Sequence, residues 1–465
     1  MEGTIVRFKG ITLKNIKNTN YGQVKMPACE KGDFQAEILG IYGQNGSGKT
    51  AVVDAFYMIQ LILMGKKIPN ECYHYIDVHK TQAEIEAEFT IEKGTDTLFE
   101  VTYAVTLGKK SSDSIEIIEE SISASGISAG RKMKKQPFIV YKREDESYVF
   151  KPKARFQEVV AGDRKKKDTL AAAKKVAEIN NCSYIFGETS FRILGNTMGN
   201  AFSDYSFIIK SLNHYASMNL FVIRNSHSGV ISADVLLPME FLVTDAEDQT
   251  TARGDFVINL REPTILHEER YELLIKVVEE INIVLTTIIP DLTLGIYDYG
   301  TALQGNGSLG RKVDLVSKRG DMEIPIRYES EGIIKIVSIL NALIRAYNNP
   351  GICLVVDELD AGIYEYLLGE LLDIFSKGGK GQIIFTSHNL RPLEMLPSNS
   401  ILFSTSNPAN RYIRMQNIRG TNNLRDVYLR CITLGGQKES IYTETDSIRI
   451  ARAFRKAGRE MEHDR

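Results

Sequence analysis

The strongest constraint on this chain is a run of ten residues near its N-terminus, IYGQNGSGKT at positions 41–50. An apolar, strand-like stretch from Ala36 to Tyr42 leads into it, and a helix-like stretch from Ala51 to Tyr57 leads out. Inside it, Gly43-Gln44-Asn45-Gly46-Ser47-Gly48-Lys49-Thr50 fits the spacing GxxxxGK[ST] at every fixed position. Glycines there let backbone N–H groups turn inward around a phosphate, and the following helix start adds its partial positive charge. A lysine in this place reaches the β- and γ-phosphates, and the next hydroxyl ligates Mg²⁺. Gly43, Asn45, Gly46, Ser47, Gly48, Lys49 and Thr50 therefore form a candidate phosphate cradle.

Two later strands supply what such a cradle needs. Ile352 to Val356 is a continuous apolar run that ends in Asp357-Glu358. A buried parallel strand reads this way, and its carboxyl end is where an open α/β sheet places its ligand. Asp357 is positioned to hold Mg²⁺ and Glu358 to activate an attacking water as general base. Gln382 to Ser387 is a third strand, ending at His388. A histidine after a strand is commonly structural, but its spacing after the acidic strand favours contact with the γ-phosphate.

Around these motifs the first 35 residues alternate as strands do, and Glu84 to Leu107 continues the pattern, returning through 115–122 and 137–149 as a β-meander. Basic, helix-prone segments follow, and a long helix is expected from His267 to Thr287. The stretch 308–321 reads as a hairpin with a polar turn. From about Leu292 onward strands and helices alternate. The expected organisation is residues 1–150 as one half of a head domain, 151–290 as a mainly helical insert for partners or assembly, and 291–465 as the other half with a C-terminal helix. No long heptad array occurs in the insert, which excludes an extended coiled-coil arm.

Composition sets limits on function. A formal charge of -2 over 465 residues gives no global attraction to nucleic acid, so such contact would need a local patch. Arg131 to Lys135, Arg164 to Lys167, and Lys174-Lys175 are the available clusters, although charge runs are usually solvated faces. Five scattered cysteines without a CxxC pair suit a reducing compartment. Together with the absence of an apolar signal core or a run of about 18 apolar residues, this predicts a cytoplasmic protein with no membrane span. Cys72, His74 and His79 match no common zinc spacing. Glu268-Glu269 and Asp245, Glu247 and Asp248 read as surface acids rather than nuclease ligands.

Taken in order, GQNGSGKT, LVVDELDAG and IIFTSHN resemble the ABC-class ATPases of the SMC, RecF and OLD type, and FKGITLKNIKN is similar to the strand pair with which those heads begin. The resemblance covers about 1–150 and 290–435. It implies an α/β fold of P-loop ATPase head type, with a mixed sheet, an antiparallel β-subdomain and a helical insert. It also implies ATP and Mg²⁺ as ligands, hydrolysis with Glu358, Lys49 and His388 as catalytic residues, and Thr50 and Asp357 on the metal. In that group two heads sandwich the nucleotides, each capped by a partner's signature. Tyr328-Glu329-Ser330-Glu331-Gly332-Ile333-Ile334-Lys335 sits at the matching place, so Ser330, Gly332 and Lys335 would serve in trans, against the alternative of an ordinary helix cap. Leu359 to Tyr364 departs from the usual stretch after the acids, and Gln82 is the one candidate for the Q-loop.

DELDAGIYEYLL and the late YLRCITLGG are further similar to stand-alone bacterial AAA-type ATPases of phage-defence and abortive-infection systems, such as the ATPase subunits of PARIS systems. That implies a homodimer or larger homo-oligomer acting as a platform for a separate effector, a toxin or nuclease, with a phage protein as trigger. The alternatives are a RecF-like DNA-repair ATPase and a nucleotide-gated scaffold with little turnover. Only 77 residues follow His388, too few for the rest of a head plus a nuclease.

Overall fold

The apolar runs beside the phosphate loop become one sheet that is buried on both faces. The structure, a computed structural model, describes residues 3–27, 34–110, 113–128, 130–197, 202–224, 236–244, 251–303, 307–416 and 423–463. In chain order the first strands are β1 (Thr4–Ile16), β2 (Thr19–Lys25) and β3 (Glu37–Tyr42), followed by helix α1 (Lys49–Leu63) and by β4 (Gln82–Lys93), β5 (Thr97–Lys110), β6 (Ser114–Ser128) and β7 (Arg131–Lys142). Helices α2 (Lys153–Val160), α3 (Arg164–Asn180), α4 (Glu188–Gly195) and α5 (Ser203–His214) come next, then β8 (Leu220–Ile223), β9 (Leu236–Thr244), β10 (Thr251–Asn259) and β11 (Thr264–Leu266). After α6 (Glu268–Ile288) come β12 (Thr293–Leu303), β13 (Leu309–Arg319), β14 (Met322–Pro325), α7 (Glu331–Asn348), β15 (Cys353–Val356), α8 (Glu365–Gly378) and β16 (Gln382–Thr386). The remainder is α9 (Pro392–Met395), β17 (Ile401–Ser404), β18 (Tyr412–Ile413), α10 (Leu424–Leu434) and α11 (Ser447–His463).

The ligand-bearing sheet has the order β18-β17-β3-β16-β15-β8, with β18 alone antiparallel to its neighbour. Its strands alternate between two cores. Leu39, Ile41, Cys353, Val355 and Ile384 join the core under α1, while Ile38, Tyr42, Leu354, Val356, Ile383 and Phe385 join the core under α6, α7 and α8. Both sets are apolar, which is why these strands read as unbroken runs rather than as alternation. A second, wholly antiparallel sheet has the order β2-β1-β4-β5-β6-β7. In β4 the glutamates Glu84, Glu86 and Glu88 lie between the buried Ile85, Ala87 and Phe89, so one face is solvated and the other packs inward.

The stretch 151–290 is helical from α2 through α5, but it then enters the sheets. β8 pairs in parallel with β15, and Asp357 donates its N–H to the Ile223 carbonyl at 2.9 Å. Helices α2 to α5 precede β8, and Asp163 caps α3 by accepting from the N–H groups of Lys165 and Lys166. Those helices are pinned to the antiparallel sheet by Glu120. Its buried carboxylate accepts from the Tyr103 hydroxyl, the Ser183 hydroxyl and the N–H groups of Tyr184 and Ile185. The stretch 308–321 differs from expectation. It is one strand, β13, and the turn falls at Gly320-Asp321 before β14. Among the described residues, no helix is long and apolar enough to cross a membrane.

Candidate nucleotide-binding site

The phosphate loop leaves the end of β3 and is braced from outside. Gly43 has φ 154°, and a Cβ there would lie 1.9 Å from the Ser404 Oγ, so only glycine fits. Ser404 donates its hydroxyl to the Tyr42 carbonyl at 3.0 Å and also meets the Ser47 hydroxyl. Gly48, at φ 93°, precedes the first residue of α1, and its carbonyl accepts from the Tyr412 hydroxyl at 2.7 Å. Asn18 Nδ2 donates to the Gly46 carbonyl, while Arg411 holds the Asn18 carbonyl and the Thr405 carbonyl. The buried Lys49 Nζ donates to the carbonyls of Gly43 (2.9 Å) and Gln44 (3.2 Å). Burial lowers its proton affinity, and the carboxylates of Asp357, Glu358 and Asp360 act against that shift.

The acids arrive on β15 and are fixed by the next strand. The hydroxyl of Thr386, buried at the end of β16, donates to Asp357 Oδ1 at 2.6 Å and accepts the Glu358 N–H at 2.8 Å. Leu359 donates its N–H to the Thr386 carbonyl at 3.0 Å. Glu358 has φ 48°, a left-handed conformation costing about 1–2 kcal/mol that these bonds hold in place. Asp360 Oδ2 then accepts the N–H groups of His388 (3.0 Å) and Asn389 (2.9 Å). The His388 ring lies at the rim, with its proton affinity lowered first by partial burial and then by the Lys49 charge.

These elements enclose a pocket of about 300 Å³ whose wall includes Asn45, Lys49, Thr50, Asp357, Glu358 and His388, with Lys17 and Asn18 beside the loop. That volume is of ligand size. Asp357 is fully buried, yet its Oδ2 has no hydrogen-bond partner among the described residues. A buried carboxylate oxygen without a partner is costly, and a hard cation would satisfy it. The oxygen donors Asp357 and Thr50 therefore fit Mg²⁺.

The signature residues lie elsewhere. Ser330 caps α7, its hydroxyl accepting from the Ile333 N–H at 3.4 Å, and neither it nor Gly332 lines the pocket of its own chain. A Cβ on Gly332 would lie 2.0 Å from the Gly362 carbonyl oxygen, so the start of α7 sits directly on the turn that follows the acids. Lys335, further along α7, is buried; burial lowers its proton affinity, and Asp357, Glu358 and Asp360 of its own chain act against that shift. Gln82 is exposed at the start of β4 and is not in the pocket wall.

The rival sites fare less well. Lys174 is buried and donates to the carbonyls of Lys142, Asp145 and Tyr148, so it belongs to the core rather than to a basic patch. Cys72 is buried and its thiol is pushed up to about 12, unfavourable for a metal-bound thiolate. Glu268 pairs with Arg311. Among the described residues no group of three or more His, Cys, Asp or Glu side chains is arranged to hold a metal, and Asp245, Glu247 and Asp248 lie outside those residues. Sequence reasoning gave no role to Thr386, Asp360, Lys17, Asn18, Arg411 or Tyr412. Only Thr386 carried a signal, as the last polar residue of an apolar strand two places before His388.

Residues 38–394 match the family described as "AAA domain, putative AbiEii toxin, Type IV TA system". The chain belongs to this AAA-domain family. Solved structures similar to it include an SMC head bound to the C-terminal winged-helix domain of ScpA, 13% identical, covering 88% of this chain and 97% of that one with a TM-score of 0.42. The SMC head domain from Thermotoga maritima is 15% identical, covering 88% and 99% with a TM-score of 0.37. RecF with ATP, the recombination mediator of the RecFOR pathway, is 14% identical, covering 83% and 94% with a TM-score of 0.33. No curated protein matches the chain.

Proposed function

We propose that this AAA-domain protein binds ATP with Mg²⁺, hydrolyses it, and uses the cycle to change how its copies assemble. The observation that carries the reading is the meeting, in one pocket, of the loop Asn45 to Thr50 with Asp357, Glu358 and His388, where Asp357 Oδ2 is buried without a partner. Backbone N–H groups of the loop and Lys49 hold the phosphates. Thr50 and Asp357 hold Mg²⁺, which when bound neutralises phosphate charge. Glu358 accepts the proton of the attacking water, and His388 contacts the terminal phosphate from the rim. Ser330 and Gly332, which do not reach their own chain's pocket, are then available to a second copy in a homodimer or larger homo-oligomer.

The biological setting we favour is a cytoplasmic sensor or scaffold subunit of an anti-phage system, restraining or activating a separate toxin or nuclease in response to a phage protein, as in PARIS-like systems. The toxin–antitoxin wording of the matched family supports that setting. Turnover and mass, measured for the wild type beside Lys49→Ala and Glu358→Gln, test the biochemical core. The wild type should hydrolyse ATP only with Mg²⁺. Both variants should lose roughly 10²-fold or more of the rate, and Glu358→Gln should retain ATP and favour the assembled form. Equal binding by all three without hydrolysis would replace the reading by a nucleotide-gated scaffold. Turnover that rises with DNA and falls with salt would replace the defence setting by DNA repair.

A further inference from the structure

The helix α11 carries a pattern that the nucleotide site does not use. Every residue from Ser447 to Ala457 is exposed, including Ile450 at 45% and Phe454 at 77%. Ser447, Ile450, Phe454 and Ala457 recur at intervals of three, four and three residues, the spacing of a helix–helix seam. The residues flanking that stripe are Ala451 and Ala453, small and uncharged. Arg449, Arg452, Arg455 and Lys456 all occupy the positions of the heptad that point away from a seam.

We propose that α11 is a pairing helix whose occupant is α11 of a second copy of this chain. The proposal rests on the homo-oligomer reading above. Charge placement selects the occupant. Two copies of a basic helix repel when cations flank the contact, but from Ser447 to Ala457 the contact positions and the residues flanking them carry no charge. Alanine at Ala451, Ala453 and Ala457 lets two helices approach closely, whereas a helix lying on lipid gains from bulky side chains throughout its apolar face. A nucleic acid would engage the cations and leave Ile450 and Phe454 in water.

Area explains why such a seam works only as part of a larger contact. About three turns of helix bury far less than the roughly 1,200 Å² that a stable interface needs, so the heads must supply the rest. The chain fixes the helix to the head accordingly. Ser406 donates its N–H to the Ser440 carbonyl at 2.8 Å, and Asn407 and Asn410 donate to Glu439. Gln44 of the phosphate loop then takes both backbone groups of Thr443, accepting its N–H at 2.9 Å and donating to its carbonyl at 3.4 Å. The helix begins four residues later, with Asp446 accepting from the N–H groups of Ile448 and Arg449. Assembly of the heads and pairing of α11 are thus linked through a short, tied segment.

Cysteine cross-linking of the full-length chain tests the seam. Ile450→Cys alone, Ala457→Cys alone and an equal mixture of Ser447→Cys and Ala457→Cys are oxidised with and without ATP and Mg²⁺, with the unsubstituted chain as blank and Arg452→Cys as off-seam control. Either single variant reports a parallel pair and the mixture reports an antiparallel one. We expect a covalent dimer in one of these three samples, absent at Arg452→Cys, reduced at least tenfold by adding Phe454→Glu. No cross-link above the control in any sample, or one indifferent to Phe454→Glu, overturns the proposal. Mass measurements of Glu358→Gln with and without ATP keep the two readings separate. Nucleotide-dependent dimers without the cross-link leave the heads paired and refute the seam, while a Phe454-dependent cross-link without nucleotide-dependent dimers supports the seam and refutes head pairing.

Discussion

Replacing Thr386 by valine keeps the shape of a wholly buried side chain and removes only its hydroxyl. That hydroxyl makes two bonds, donating to Asp357 Oδ1 at 2.6 Å and accepting the Glu358 N–H at 2.8 Å. The first is a bond to a charged group, worth about 1.5–3 kcal/mol, and the second is a neutral bond worth about 1 kcal/mol. Asp357 Oδ2 has no hydrogen-bond partner among the described residues, and the variant also removes the Thr386 donor from Oδ1 of this buried carboxylate. The expected loss of stability without nucleotide is therefore about 2.5–4 kcal/mol. Glu358 loses the bond to its own N–H that helps keep it at φ 48°, and a general base displaced by even a fraction of its reach costs on the order of 10²-fold in turnover. Thr386→Ser keeps the hydroxyl and should retain most of both quantities. Denaturant midpoints and steady-state ATP turnover of the three proteins provide the comparison. If valine and serine variants unfold and hydrolyse alike, the hydroxyl does not position the acids and the reasoning fails.

Two further outcomes follow from close contacts away from the pocket. Gly332→Ala places a Cβ 2.0 Å from the Gly362 carbonyl oxygen, where both partners are backbone, so α7 or the acid turn must move. A stability loss of about 1–3 kcal/mol is expected, with reduced turnover, measured by thermal unfolding and ATP hydrolysis. Glu120 has its carboxyl raised above the ordinary 4.5, chiefly by burial, with its four hydrogen bonds opposing the rise. The folded state therefore holds this proton more tightly than the unfolded chain does. Its contribution is fully present below pH 4.5 and declines as pH rises through the folded value. Denaturation midpoints compared with those of Glu120→Gln should show the wild type losing ground as pH is raised from 4.5 toward neutrality; a gain would contradict the sign.

The strands that line the pocket were legible because they obey local rules. β3, β15 and β16 sit between two cores, so each reads as an unbroken apolar run, and each ends in the residues that line the pocket. β4 and β5 were legible through alternation. β8 was not: Leu220 to Ile223 is four apolar residues directly after a helix, too short to distinguish from the end of that helix by periodicity. The segment 308–321 misled because Gly310 and Gly320 bracket it alike, yet Gly310 is extended opposite Ala302 and only Gly320 has positive φ. Thr386, Asp360 and the Gly332–Gly362 contact act across 28 to 30 residues of sequence. No spacing rule reports a hydrogen bond or a backbone approach between elements whose packing is not yet known.

Those long-range contacts also connect the pocket to the face that would meet a second head. Asp360 takes the N–H groups of His388 and Asn389 on one carboxylate oxygen, so the turn after the acids moves with the rim histidine or loses two charge-assisted bonds. Gly362, two residues on, presses its carbonyl oxygen against Gly332, leaving the start of α7 no room to stay behind if that turn shifts. At the tip, the Ser330 hydroxyl accepts the Ile333 N–H at 3.4 Å, at the weak end of hydrogen-bond geometry. In the proposed assembly, a strong acceptor from another copy would displace little in taking that N–H. The stiffness lies between His388 and Gly332 and the looseness lies at Ser330, an arrangement suited to carrying a change at the phosphate end outward to the partner contact proposed there.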